Sequence, residues 1–270
     1  MMTVHKLSAG IDGGYSYLTR QVASADQRRA GGALADYYAA RGNPPGLWLG
    51  RGAEQLGVAG GEVTEAQMRA LFGQGLHPDA EAMRAAGAPA RATKLGAAYP
   101  TYAELAPYAQ RVADAVEAFA TDHGRPPSAA ERNQIAAKEA RRGRRAVAGF
   151  DMVFTPVKSA SVLWALGGPQ VRAAVEDAHH EAVRSALAWV ETHAAYTRAG
   201  HAGAAQIDAT GLVAAAFDHR DSRTGDRDLH THVAVANKVR GVDGKWRSLD
   251  ARNLYAVGVA ASERYNTRFV

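Results

Sequence analysis

The spacing of apolar residues divides the chain into an opening strand, a helical middle and a strand-rich end. Thr3 to Ala9 alternate in character and predict a first strand, after which Asp12, Gly13 and Gly14 mark a turn into a helix carrying Tyr15 and Tyr17. The polar, glycine-containing stretch from Ser24 to Ala33 predicts a mobile loop ahead of the adjacent Tyr37 and Tyr38. Residues 41–57, RGNPPGLWLGRGAEQLG, read as a second loop, rich in Gly and Pro and anchored by Trp48. Thr64 sits where a helix cap belongs, ahead of EAQMRALF. From Tyr99 to Arg145 the chain is alanine-rich and charged, which predicts a helical hairpin broken at HGRPPS and inserted into the domain.

The pattern changes at residues 150–166, FDMVFTPVKSASVLWAL: an apolar strand interrupted by Asp151, a turn at Pro156, then a helix after Lys158 and Ser159. A long helix follows from Pro169 to about His193, with Val171, Val175, Ala178, Ala182, Val183, Ala186, Trp189 and Val190 as its apolar stripe. Three strand-like segments come next, starting at Ala194 and Thr210 and ending with DRDLHTHVAVANKV at 226–239. The final stretch, NLYAVGVAASERYNTRFV, is helical in pattern and stops without a cap, so the chain is expected to be part of something longer. These elements predict an α+β fold with a mainly antiparallel central sheet and the histidine strand in its middle. Helices are expected on one face, with the tyrosine helix and its loop over the other.

Alternation along 226–239 puts His230 and His232 on one face, their α-carbons about 7 Å apart. His219 ends the preceding strand-like run, and a hairpin would bring it alongside. Small alanines beside the pair leave room for an ion, and three imidazoles are a metal-type set. Two half-exposed polar residues remain the plain alternative for the HxH. His5 on the first strand could join the site, whereas His77, His123, His179, His180, His193 and His201 read as surface or packing residues.

Composition narrows the chemistry. The 270 residues contain no cysteine, which removes disulfides, thiolate nucleophiles and cysteine-bound zinc. No run approaches the roughly 20 apolar residues of a membrane span, and the first residues lack the core of a signal peptide, so a cytoplasmic location is expected. A formal net charge of +5 is compatible with a polyanionic partner. Tyr15, Tyr17, Tyr37 and Tyr38 crowd one short N-terminal stretch. A phenol is a weak nucleophile at neutral pH unless a bound cation spreads the charge of the transition state on its target. Beside three metal-type histidines, the tyrosines become the nucleophile candidates.

These blocks together resemble the conjugative relaxases of the TrwC and TraI type, the MobF family of the HUH endonuclease superfamily, over nearly the whole chain. The resemblance rests on the N-terminal tyrosine group followed by DYYAARGNPPGLWLGRGAEQLG, on FDMVFTPVKSASVLWAL, on the long block from Ala194 to Val239, and on DGKWRSLDARNLY. It implies a relaxase-like palm over residues 1–270 with a helical insertion at about 99–145. It also implies that His219, His230 and His232 hold a divalent cation, Mg²⁺ or Mn²⁺ before other transition metals, and that Asp151 orients one of them. Tyr17 would attack a phosphate at the plasmid origin of transfer, leaving a 5'-phosphotyrosyl adduct and a free 3'-hydroxyl, with Tyr15 as the alternate. Tyr37 and Tyr38 would serve a second strand transfer. Lys158, Arg223 and the basic end of the insertion, Arg141, Arg142, Arg144 and Arg145, would contact the DNA backbone.

The implied partners are single-stranded or hairpin DNA, relaxosome accessory proteins and a type IV secretion coupling protein. The family commonly adds a C-terminal helicase, and no GxxxxGK[ST] phosphate loop occurs here. A rolling-circle replication initiator would use the same chemistry. A three-histidine hydrolase and a non-catalytic basic DNA-binding domain are the other readings of the same residues.

Overall fold

Most of the strands read from sequence converge on one sheet, and the computed structural model shows how their faces are assigned; it describes residues 1–10, 14, 15, 18, 44–222 and 226–270. Tyr17, Tyr37, Tyr38, Arg223 and most of the first tyrosine segment lie outside the described residues. In chain order the described elements begin with β1 (Met2–Ser8), β2 (Leu47–Leu49), α1 (Arg51–Gln55), α2 (Glu65–Met68) and α3 (Ala80–Ala85). After α4 (Tyr108–His123) and α5 (Ala129–Arg142) come β3 (Val147–Phe154), α6 (Lys158–Leu166) and α7 (Pro169–Ala194). The chain continues through β4 (Tyr196–Ala199), β5 (Ala205–Asp208), β6 (Ala214–Asp221), β7 (Arg227–Ala236), β8 (Val239–Arg240) and β9 (Trp246–Arg247) to α8 (Ala251–Ala256) and α9 (Gly258–Phe269).

Two compact units are formed: residues 1–99 with 147–270, and residues 100–146. The second is a hairpin of α4 and α5. Ser128 and Glu131 cap α5 with reciprocal hydrogen bonds, and Arg111 bonds both the carboxylate and the backbone carbonyl of Glu139.

In the first unit β1, β3, β7, β6 and β2 make a five-stranded antiparallel sheet in that order, with the histidine strand β7 in the middle. The strand from Ala194 joins a separate two-stranded ribbon, β4 with β5. One expectation fails here: Leu47–Leu49, read as loop, is the edge strand β2, with Trp48 opposite Ala215. A three-residue strand is too short to show a period, and what stabilises it is burial of the Trp48 ring, whose indole N–H donates to Gln67.

Helices pack on the back face as expected, and helical residues beyond the tyrosine segment cover part of the front. On the back face, Ala182, Val183, Ala186, Leu187 and Val190 of α7, with Ala261 and Tyr265 of α9, share a core with Met152, Phe154, Val233 and Val235. Full burial of each large apolar side chain there contributes roughly 1.5–3 kcal/mol. The stripe starts later than its sequence pattern: Val171 is exposed, and contact with the core begins near His179. On the front face, α2 starts with the predicted cap, Thr64 and Gln67 bonding reciprocally, and widens into a π-helical stretch over Arg69–Gln74. Phe72 from that stretch is fully buried and lies over Gly149 of β3.

Gly149 is required by this close approach, since a Cβ there would stand 2.4 Å from the Val235 carbonyl oxygen and 2.8 Å from Phe72. Gly149→Ala is therefore expected to destabilise the protein by about 2 kcal/mol, read as a lower urea midpoint at unchanged slope. An unchanged midpoint would show that the sheet and Phe72 yield freely.

Candidate active site

The front face not covered by Phe72 carries the histidines. Antiparallel pairing sets His219 of β6 directly opposite His230 of β7, and His232 opposite Phe217, so all three imidazoles project from one side. Ring centroids are 5.3 Å apart for His219 and His230, 4.7 Å for His219 and His232, and 5.2 Å for His230 and His232. One nitrogen from each ring lies within 4.8 Å of the others, a spacing that a small cation can draw together. Among the described residues this is the one group of three or more potential metal ligands so arranged.

Second contacts fix the rings. His232 Nδ1 is 2.7 Å from Asp151 Oδ2, and Asp151 is wholly buried on the neighbouring strand β3. His230 Nδ1 is 2.8 Å from the backbone oxygen of Asp228. Because a carboxylate and a carbonyl only accept, each Nδ1 must carry the proton, which leaves the Nε2 lone pair for a metal. Burial, followed by the neighbouring His232 and His230, pushes the His219 ring down to about 3. Burial also lowers His230. Both rings are thus neutral, ligand-competent bases at physiological pH, and the donor set fits a divalent ion that accepts nitrogen.

The other sequence candidates are placed as follows. Lys158 opens α6, largely exposed, with Nζ 3.3 Å from the Arg227 carbonyl oxygen and 3.5 Å from Asp228, at the outer end of the histidine strand. Tyr15 is buried, its ring 5.9 Å from that of Phe72, with its hydroxyl against Gly73. His5 is exposed, near Thr3, and stands outside the trio. In the helical hairpin Arg141, Arg142, Arg144 and Arg145 are all exposed. Arg142 pairs with Glu139 and Arg145 covers the Tyr102 ring.

Sequence reasoning missed the polar residues behind the trio. His179 and His180 of α7 reach Thr231 and Asp218 on the back face. The available signal was that Asp218 and Thr231 alternate with the metal-type histidines and so had to face the core.

The sequence pattern of the TrwC relaxase family matches residues 11–270. The chain belongs to the TrwC relaxase family. It is 40% identical over 111 residues to the multifunctional conjugation protein TraI of Escherichia coli, and 35% identical over 130 residues to TraI of strain K12. These matches take in 41% and 44% of the chain but span only 6% and 7% of the TraI proteins. Among solved structures it resembles the conjugative relaxase TrwC in complex with oriT DNA. The copper-bound form has a TM-score of 0.58 and 22% identity, with all of this chain and 68% of the other covered. A TrwC complex with a 27-mer comprising the recognition hairpin and the cleavage site gives 0.56 and 22%, with 100% and 67% covered. At these identities the likeness establishes a shared fold. No described helix is long and apolar enough to cross a membrane.

Buried neutral histidines make the protein acid-sensitive. Burial also pushes His179 down to about 4. In the unfolded chain each ring takes up its proton near pH 6.5, so stability present above that value is lost as pH falls towards the folded values. Between pH 7 and pH 5, His179 and His219 each remove about 2 kcal/mol from the metal-free protein. His180 offsets a smaller part, because its hydrogen bond to Asp218 raises it. Urea unfolding at the two pH values with chelator present checks this; equal stability would refute it.

Proposed function

We propose that this chain is the DNA-cutting part of a conjugative relaxase, a metal-dependent, site- and strand-specific nickase and strand transferase acting at a plasmid origin of transfer. The single observation that carries the reading is the His219, His230 and His232 face, backed by Asp151, in a member of the TrwC relaxase family. These three residues would hold Mg²⁺ or Mn²⁺, which when bound supplies Lewis-acid stabilisation of charge on a phosphate.

Tyr17 loses its phenolic proton and its oxygen bonds to the phosphorus; the bond from phosphorus to the 3'-oxygen breaks, and that oxygen takes a proton. The product is a 5'-phosphotyrosyl link and a free 3'-hydroxyl, with no net loss of phosphodiester bonds, so the step can run backwards to rejoin a strand. Asp151 keeps His232 in the tautomer that offers Nε2. Lys158, Arg223, Arg141, Arg142, Arg144 and Arg145 neutralise phosphates of single-stranded or hairpin DNA. Tyr15 is assigned to packing, since it is buried with its ring beside Phe72 and its hydroxyl against Gly73, and Tyr37 and Tyr38 to a later strand transfer. Cytoplasmic assembly with relaxosome accessory proteins and a secretion coupling protein completes the reading.

The test incubates the protein with end-labelled oligonucleotides spanning a candidate nick site and Mg²⁺ or Mn²⁺, followed by a denaturing gel. A protein band retarded by attached DNA, lost on chelation, is the expected result, and sequencing the linked peptide identifies the tyrosine. Cleavage without an adduct would instead mark a hydrolase that activates water at the same ion.

A further inference from the structure

Directly behind the histidine trio, on the apolar back face of the sheet, five polar side chains form one hydrogen-bonded line. Asp218 and Thr231 each adjoin a histidine of the trio in sequence, so they point the opposite way, and the strand register sets them face to face. Thr231 Oγ1 lies 2.5 Å from Asp218 Oδ1, and His180 Nε2 lies 2.6 Å from Asp218 Oδ2. His179, fully buried, lies 2.7 Å from Thr231 Oγ1 through Nε2 and 2.7 Å from the Tyr265 hydroxyl through Nδ1.

The direction of every bond can be deduced. As a carboxylate Asp218 only accepts, at Oδ2 from His180 and at Oδ1 from Thr231. Thr231 must then donate to Asp218 and accept from His179 Nε2–H. Neutral His179 has one lone pair left, at Nδ1, and it accepts from Tyr265. No member is spare: the line is satisfied from α9 through α7 to β6.

Such a network is a costly choice for a face otherwise built of Val, Phe and Ala, where apolar packing would do as well. Its location gives a reason. The ladder between β6 and β7 becomes irregular immediately after His219, where the next pair is Asp221 with Arg227, so His219 stands on the last regular rung. A one-residue slip there would turn His219 to the back of the sheet.

We propose that Asp218 and Thr231, locked by His179, His180 and Tyr265, act as a register clamp that positions His219 against His230 and His232 for metal binding. The inference rests on the reading that the trio holds a cation. It assigns Asp218, Thr231, His179 and His180 as positioning residues, all on the face of the sheet opposite the trio.

The test titrates metal-free protein with Co²⁺, followed by visible absorption, and with Mn²⁺ by calorimetry, after circular dichroism has confirmed the fold. Thr231→Val keeps the shape of the residue and removes the hydroxyl; about tenfold weaker binding and an altered Co²⁺ spectrum are expected. Thr231→Ser, which restores the hydroxyl, should bind within about twofold of wild type. Wild-type affinity and spectrum in Thr231→Val, or an equal loss in Thr231→Ser, would overturn the clamp. If Thr231→Val does not fold, His180→Leu at the half-exposed end decides: about threefold weaker binding is expected from losing one of the bonds to Asp218, and unchanged binding overturns the proposal. A wild-type protein that binds neither ion would instead overturn the metal reading itself, and the clamp with it.

Discussion

Replacing His232 by Ala is expected to slow DNA strand cutting about 10³-fold while leaving DNA affinity within about threefold of wild type. The first figure follows from the several kcal/mol that a Lewis-acidic cation contributes to a phosphoryl transition state, at about 1.4 kcal/mol per factor of ten. The second follows because phosphate contacts from Lys and Arg, not the ion, dominate nucleic-acid affinity. His232 is chosen because its ring is the one bonded to Asp151. Asp151→Asn should give a graded version, about 10- to 100-fold weaker metal binding, since the amide can present its N–H to Nδ1 and favour the wrong tautomer. Cleavage rates against Mn²⁺ concentration, beside a binding curve on the same oligonucleotide, separate the two effects. If His232→Ala cuts at the wild-type rate, the trio is not a catalytic metal site.

Tyr17→Phe is expected to lower covalent adduct formation by about 10⁴-fold or more, the scale on which removing a nucleophile disables a catalytic unit. Phe has no oxygen to bond to phosphorus, so metal binding and DNA binding should both survive. Tyr15→Phe is the informative contrast. The Tyr15 hydroxyl lies against Gly73 inside a core that leaves the residue 3% exposed, so a phosphate could reach it only if that core opened. Its loss should change stability by about 1 kcal/mol and leave the adduct in place. An adduct surviving in Tyr17→Phe and lost in Tyr15→Phe would reverse the assignment and require this part of the core to open during the reaction.

The parts of the fold that sequence made legible are those with a long period or a hard boundary. Pro169 opens α7 because a helix's first turn tolerates proline, and the alternation from Leu229 to Ala236 could be nothing but a strand with two imidazoles on one face. The Thr64 cap was equally readable from its side-chain chemistry. What stayed hidden depended on register. Leu47–Leu49 carries no recognisable period and becomes a strand only because β6 offers an edge to it. That Phe72 would need a glycine at 149 follows from a packing between residues 77 positions apart, which no local pattern encodes. His179 looked like an ordinary helix residue, and its contact with Thr231 exists only once β7 is seated beneath α7.

Asp151 on β3 and His232 on β7 each stand where their strand is paired with a neighbour on either side. Amides in such positions are released to solvent only with the collapse of the whole domain. Loading and losing the cation should therefore leave the slow hydrogen exchange of these strands at its global limit, so that ion turnover and backbone opening run on separate clocks.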